Sequence, residues 1–125
     1  MNFPEDLKYT DSHEWLKIEG DVATIGVTDY AQGELGDVVF IDIPEARAVT
    51  AGEAFGSIEA VKTVSDIIAP LAGTITEINP ELEASPETVN SDPYGAGWMV
   101  KMTIDNQDEL ASLLDVNQYK ELIGK

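Results

Sequence analysis

The sequence predicts a mainly β protein, a compact barrel or sandwich with helix confined mainly to its C-terminal end. Three observations predict it: many short runs rich in Val, Ile, Phe and Thr, Gly, Asp and Pro signals between those runs, and no alternation of strands with long helices of the kind a parallel sheet requires.

Between Trp15 and Ile43 the runs are broken by Gly20-Asp21, Gly33 and Gly36-Asp37. Val22 to Val27 and Asp37 to Ile43 have the length and composition of half-buried strands, with Pro44 ending the second. Thr28 to Leu35 predicts a short helix capped by Thr28 or Asp29. Glu53 to Ala60 and Thr63 to Ala69 lie back to back around Val61-Lys62, and a further strand at Gly73 to Ile78 would extend this hairpin into a meander. Ala51-Gly52 and Ala72-Gly73 each open a strand on either side of Lys62, which suggests structurally similar halves. Asn79 to Gly97 reads as an ordered loop with one helical turn, and Trp98 to Ile104 as a strand. At the end, Asp105 is placed to cap a helix carrying Leu110, Leu113 and Leu114, followed by a second helix carrying Tyr119, Leu122 and Ile123. No linker or low-complexity segment interrupts the 125 residues, so one domain spanning 1–125 is expected.

Composition narrows the function classes. Seven basic residues against 24 acidic ones give a formal net charge of -17, which repels a phosphate backbone and argues against nucleic acid as a partner. The acidity serves solubility, steering toward basic protein partners, or both. The chain lacks a membrane-length apolar run, a secretory signal and an organelle transit peptide, and reads as a cytoplasmic protein beginning at Met1, with no membrane partner. The absence of cysteine removes disulfides, thiolate metal sites and a cysteine nucleophile, so any thiol chemistry must be supplied by an attached group.

Common catalytic patterns are also missing. His13 is the only histidine, and there is no nucleophile elbow, phosphate loop or dinucleotide fingerprint. Asp105 to Glu109 is better read as a helix start than as a calcium loop, because Leu110 stands where that loop needs glycine; no metal site is expected. His13-Glu14-Trp15 is either a reactive site or a polar pair flanking a buried tryptophan, and the local sequence favours the second.

Gly56 to Pro70 is different. Tight hairpins favour Asn-Gly or Asp-Gly where positive φ is needed, whereas this one places Val61, Lys62 and Thr63 at its centre. A long side chain on a stiff, β-branched platform suits a tethering point, although an ordinary solvated lysine satisfies the same turn.

The segment Glu59-Ala60-Val61-Lys62-Thr63-Val64-Ser65-Asp66, followed by Ile68-Ala69-Pro70, resembles the lipoyl-lysine hairpin of the glycine cleavage system H proteins. The resemblance continues, in order, through Tyr9-Thr10, His13-Glu14-Trp15, Ala23-Thr24-Ile25-Gly26, Thr28 to Gln32, Leu35 to Phe40, Asp92-Pro93-Tyr94-Gly95 and Gly97-Trp98, and ends with Leu113-Leu114 to Tyr119. Ala60, Thr63 and Glu45-Ala46-Arg47 depart from the family's common pattern.

The resemblance implies a barrel-sandwich hybrid of two antiparallel sheets with short C-terminal helices, and a non-catalytic carrier with no catalytic residues of its own. It implies lipoate in amide linkage on Lys62, added by a lipoate-attaching enzyme. The implied partners are the pyridoxal-phosphate glycine decarboxylase, which transfers an aminomethyl group to the arm, the aminomethyltransferase, which takes the one-carbon unit onward, and dihydrolipoamide dehydrogenase, which reoxidises the arm. It further implies a surface cleft for the arm, contacted by Ser12, Glu14 and Asp66, with Asp66 also a candidate for fixing the hairpin end. A biotinyl domain, a lipoyl domain of a 2-oxoacid dehydrogenase, an unmodified scaffold or lipoate relay and an acidic hydrolase are the alternatives. The Val61-Lys62-Thr63 tip favours neither of the first two.

Overall fold

The computed structural model describes residues 3–43 and 46–124. Its nine strands are β1 (Lys8–Tyr9), β2 (Glu14–Glu19), β3 (Val22–Val27), β4 (Val38–Asp42), β5 (Ala48–Val49), β6 (Ala54–Ala60), β7 (Val64–Ile68), β8 (Gly73–Ile78) and β9 (Val100–Ile104). They form two antiparallel sheets, one of six strands in the order β1-β2-β3-β9-β8-β5 and one of three in the order β4-β6-β7. The helices are α1 (Asp29–Leu35), α2 (Glu81–Ala84), α3 (Thr88–Ser91), a 3-10 turn (Gln107–Ser112) and α4 (Val116–Ile123). This is the expected mainly β, two-sheet architecture. Among the described residues no helix is long and apolar enough to cross a membrane.

Side-chain alternation explains why the sheets face each other. In the small sheet Ile41, Ile58 and Ile67 turn inward to meet Leu16, Ile25, Ile75 and Met102 of the large one, while Phe40, Glu59 and Val64 turn outward. Burying each such isoleucine stabilises the fold by about 2 kcal/mol. A second, smaller cluster lies outside the sandwich, where Val116 and Tyr119 of α4 pack on Leu7, Tyr9 and Trp15. Val116, Tyr119 and Ile123 recur at helical spacing and supply α4's apolar stripe.

Several expectations change. β8 does not extend the hairpin into a meander: β7 belongs to the small sheet, whereas β8 pairs with β5 and β9 of the large one, so the chain crosses between layers at Ala69-Pro70. The two Ala-Gly pairs are not equivalent, because Gly52 is a turn residue at φ +86 while Gly73 is the first residue of β8, where a side chain would collide with the Thr103 carbonyl. Residues 79–97 contain two short helices instead of one turn. Asn106, not Asp105, caps the segment that follows, and that segment is 3-10. Leu122 is half exposed and does not belong to α4's packed stripe. Pro44 as a strand end lies outside the described residues.

Candidate functional site

Lys62 stands at the tip of the β6–β7 hairpin and is exposed. The tip closes without positive φ at Val61, Lys62 or Thr63. The Ala60 amide donates to the Thr63 carbonyl at 2.8 Å and the Val61 amide to the Asp37 carbonyl at 3.0 Å. Among the described non-glycine residues only His13 has positive φ. The turn therefore needs no Asn-Gly, and the external bond to Asp37 takes over part of the turn's role in fixing the tip.

The stem of Lys62 leans on the end of α1. Gly36 there has φ +80, and a methyl group at that position would lie 3.3 Å from Lys62 Cε and 3.8 Å from Nζ. Asn90 of α3 holds this junction. Its amide nitrogen donates to the Gly36 carbonyl at 2.8 Å and to Gln32 Oε1 at 3.0 Å, and its oxygen accepts from the Val38 amide at 2.8 Å. Among the described residues Lys62 has no ion-pair partner.

Between α1 and β7 runs a cleft of about 310 Å³ lined by residues including Ser12, Glu14, Ala31, Leu35, Ser65 and Asp66. Ser12 and Glu14 also line a second pocket of about 260 Å³ on the side of Gly52, Pro70 and Ser112. The carboxyl of Glu14 thus stands between two pockets. It is 2% exposed, takes a 2.9 Å hydrogen bond from the Thr10 hydroxyl and a further one from the Ile68 amide. Burial outweighs both bonds and, with Asp11 nearby, pushes its pKa up to about 7. Asp66 and Ser12 are both exposed, and Asp66 pairs with Ser57 in the hairpin ladder. The structure therefore brings Ser12, Glu14 and Asp66 to one cleft, with Lys62 four residues from Asp66 along the same hairpin.

The other members of the His13-Glu14-Trp15 motif separate in role. Trp15 is buried, its indole donates to the Pro93 carbonyl at 2.9 Å, and Gly26 leaves room for the ring. His13 Nδ1 lies 2.9 Å from the Tyr119 hydroxyl, and burial lowers the pKa of its ring. Sequence reasoning missed Thr10, Asn90 and Tyr119 as parts of the site. Their partners are set by tertiary approach; the resemblance included Thr10 and Tyr119 as matched positions, without a role, and gave no sign of Asn90. Among the described residues no group of three or more His, Asp or Glu is arranged to hold a metal ion.

The model of the family described as Glycine cleavage H-protein matches residues 7–125. The chain belongs to that family. It is 56% identical over 125 residues to the glycine cleavage system H protein of Bacteroides fragilis, covering 99% of each chain. It is 54% identical over 126 residues to that of Staphylococcus carnosus, covering 100% of each. The crystal structure of a glycine cleavage system H protein from Mycobacterium marinum superposes with a TM-score of 0.86 at 38% identity, covering 98% of this chain and 100% of that one. Family membership assigns the chain an H-protein role in the glycine cleavage system and implies a lipoyl-bearing carrier.

Proposed function

We propose that the whole chain acts as one non-catalytic carrier domain in the cytoplasm, with lipoate amide-linked to Lys62. It would shuttle the aminomethyl group from glycine decarboxylase to the aminomethyltransferase and then be reoxidised by dihydrolipoamide dehydrogenase. One observation carries the reading: an exposed, unpaired lysine on a rigid hairpin opens beside a cleft floored by a buried carboxyl. The residues fit the group, since the stem of Lys62 lies along Gly36 toward α1, one wall of the cleft, and among the described residues no ion pair holds its amine. When bound, the dithiolane supplies the thiol–disulfide chemistry that a chain without cysteine lacks.

The chain's own residues would do the rest. Glu14, held by Thr10 and the Ile68 amide, offers an acceptor oxygen whose ionised form a cationic amine entering the cleft would favour, and Ser12 and Asp66 offer further acceptors at its edge. Burial of Glu14 strengthens such a contact, because an ion pair is worth more away from water. The outer face of the small sheet supports docking by partner enzymes. Phe40, Glu59 and Val64 stand side by side across its three strands, and Val39, Phe40, Val61 and Val64 are 49% to 75% exposed. Those four comprise most of the exposed large hydrophobic residues among the described ones, and Asp42, Glu59 and Asp66 share the face of Phe40 and Val64, a pattern complementary to an apolar surface rimmed by Lys and Arg.

Intact-mass measurement tests the proposal. Protein made with lipoate and a lipoate-attaching enzyme should gain one lipoyl increment that Lys62→Arg abolishes; the amide itself removes one positive charge, taking the formal net charge from -17 to -18. An unmodified wild type, or a biotin increment, refutes it.

A further inference from the structure

Besides β7, two walls of the cleft belong to different elements: residues 12–14, where β2 begins, and α1. At one end the backbone joins them, since the Thr28 amide donates to the His13 carbonyl at 3.0 Å. The side chains are joined by a third element. Tyr119, from α4, places its hydroxyl 2.9 Å from His13 Nδ1 and 2.7 Å from Thr28 Oγ1. Thr28 is the N-cap of α1, accepting from the Ala31 amide at 3.2 Å, and His13 adopts φ 67, a region that few non-glycine residues enter. A hydroxyl donates one hydrogen bond while accepting another, so this single group satisfies both neighbours at once.

The phenol is itself immobile. Tyr119 is fully buried, stacked on Tyr9 at a centroid distance of 4.8 Å and met edge-on by Phe3 at 5.7 Å. Tyr9 lies in β1, which pairs with β2 and is bonded in both directions to Leu114 just before α4. The hydroxyl is therefore fixed from outside the cleft, with its position set by the core beneath α4.

We propose that Tyr119 is a positioning residue for the arm cleft, its hydroxyl fixing the spacing of the two walls by holding His13 on one and Thr28 on the other. The inference rests on the carrier reading for its purpose, but its geometry belongs to the unmodified chain. α4 thereby becomes part of the site without touching the arm.

The test compares the unmodified wild-type chain with Tyr119→Phe, which keeps the ring and its stacking, and with Thr28→Ser, which keeps a hydroxyl at the other end. In Tyr119→Phe, hydrogen exchange at the amides of Thr10, His13 and Glu14 and of Ala31 should quicken by about tenfold, the effect of losing roughly one hydrogen bond. Amides of the β3–β9 ladder should keep their rates, and Thr28→Ser should stay close to wild type. Carboxyl carbon NMR supplies a readout that a general loss of stability would not move: the titration midpoint of Glu14 should fall toward the ordinary glutamate range as the parted walls admit water. Unchanged exchange at both walls overturns the proposal, as does a uniform increase over all amides. If Tyr119→Phe fails to fold, Thr28→Val breaks the same bridge from its other end; because it also removes the cap on Ala31, only the amides of His13 and Glu14 and the Glu14 midpoint are then read, and unchanged values there overturn the proposal. The lipoyl mass increment on Lys62 judges the carrier reading separately, and its absence would leave the exchange result standing.

Discussion

Thr10 and Glu14 close on each other twice: the Thr10 hydroxyl donates to Glu14 Oε1 at 2.9 Å and accepts from the Glu14 amide at 3.1 Å. The pair presents the carboxyl in one orientation while leaving it buried. Ionising that carboxyl is consequently opposed by the fold.

A pH dependence follows from the sign of the shift. The pKa of Glu14 rises from 4.5 to about 7 on folding, so between those values the folded chain holds more of this proton than the unfolded one, and stability falls as pH rises through that window. A shift of this size corresponds to about 3 kcal/mol. Glu14→Gln keeps an acceptor for Thr10 and removes the titration. Urea unfolding at about pH 5 and pH 8 should show the variant gaining on the wild type at the higher pH, and parallel curves would mean that Glu14 titrates normally.

Gly36→Ala should be costly for two reasons. The φ of +80 disfavours any side chain, at about 1–3 kcal/mol, and the added methyl would press on Lys62 Cε. Denaturant midpoints measure the first effect. The rate of Lys62 acylation, compared at equal folded fraction, measures the second, and a wild-type rate would show that the stem does not need this space.

Phe40→Ser with Val64→Ser removes exposed apolar surface from the outer face of the small sheet. Both residues are about half exposed or more, so the expected loss of stability is small, within about 1 kcal/mol. Acylation by the lipoate-attaching enzyme should nevertheless slow by about tenfold or more if that face docks it. Normal kinetics in the double variant would remove the face from the account.

Asp115→Ala should loosen α4. Asp115 Oδ1 accepts from the Gln118 amide at 2.8 Å and Gln118 Oε1 accepts from the Asp115 amide at 3.0 Å, a reciprocal cap worth about 1 kcal/mol. Faster exchange of the α4 amides is the expected signature. If Tyr119 acts as proposed, His13 and Glu14 should respond weakly in the same direction.

Legibility in the sequence tracked how local each feature is. Val22–Val27, the start of α1 at Thr28 or Asp29 and the β6–β7 hairpin were readable because periodicity and turn residues lie within a few positions of one another, with the fold choosing Thr28 as the cap. The two-residue strands β1 and β5 are too short to show a period, and the Pro and Asn content of 79–97 hid α2 and α3. Asp105 and Asn106 are both competent caps, and only the fold chooses between them. The exposed position of Lys62 was approachable from its hairpin. The depth of Glu14 was not, since carboxylates are rarely buried and burial is a property of the assembled layers. The bond between His13 and Tyr119 joins residues 106 apart, and no local pattern announces such a contact.

The cross-strand row of Phe40, Glu59 and Val64 has a consequence for crowding. An exposed apolar strip on an open three-stranded sheet would ordinarily invite two copies to stick face to face. Here each copy brings its own carboxylates to that meeting, and with a formal charge of -17 the molecules repel before the strips can touch. The same carboxylates thus oppose the pairing of two such faces while attracting a cationic surface to either one.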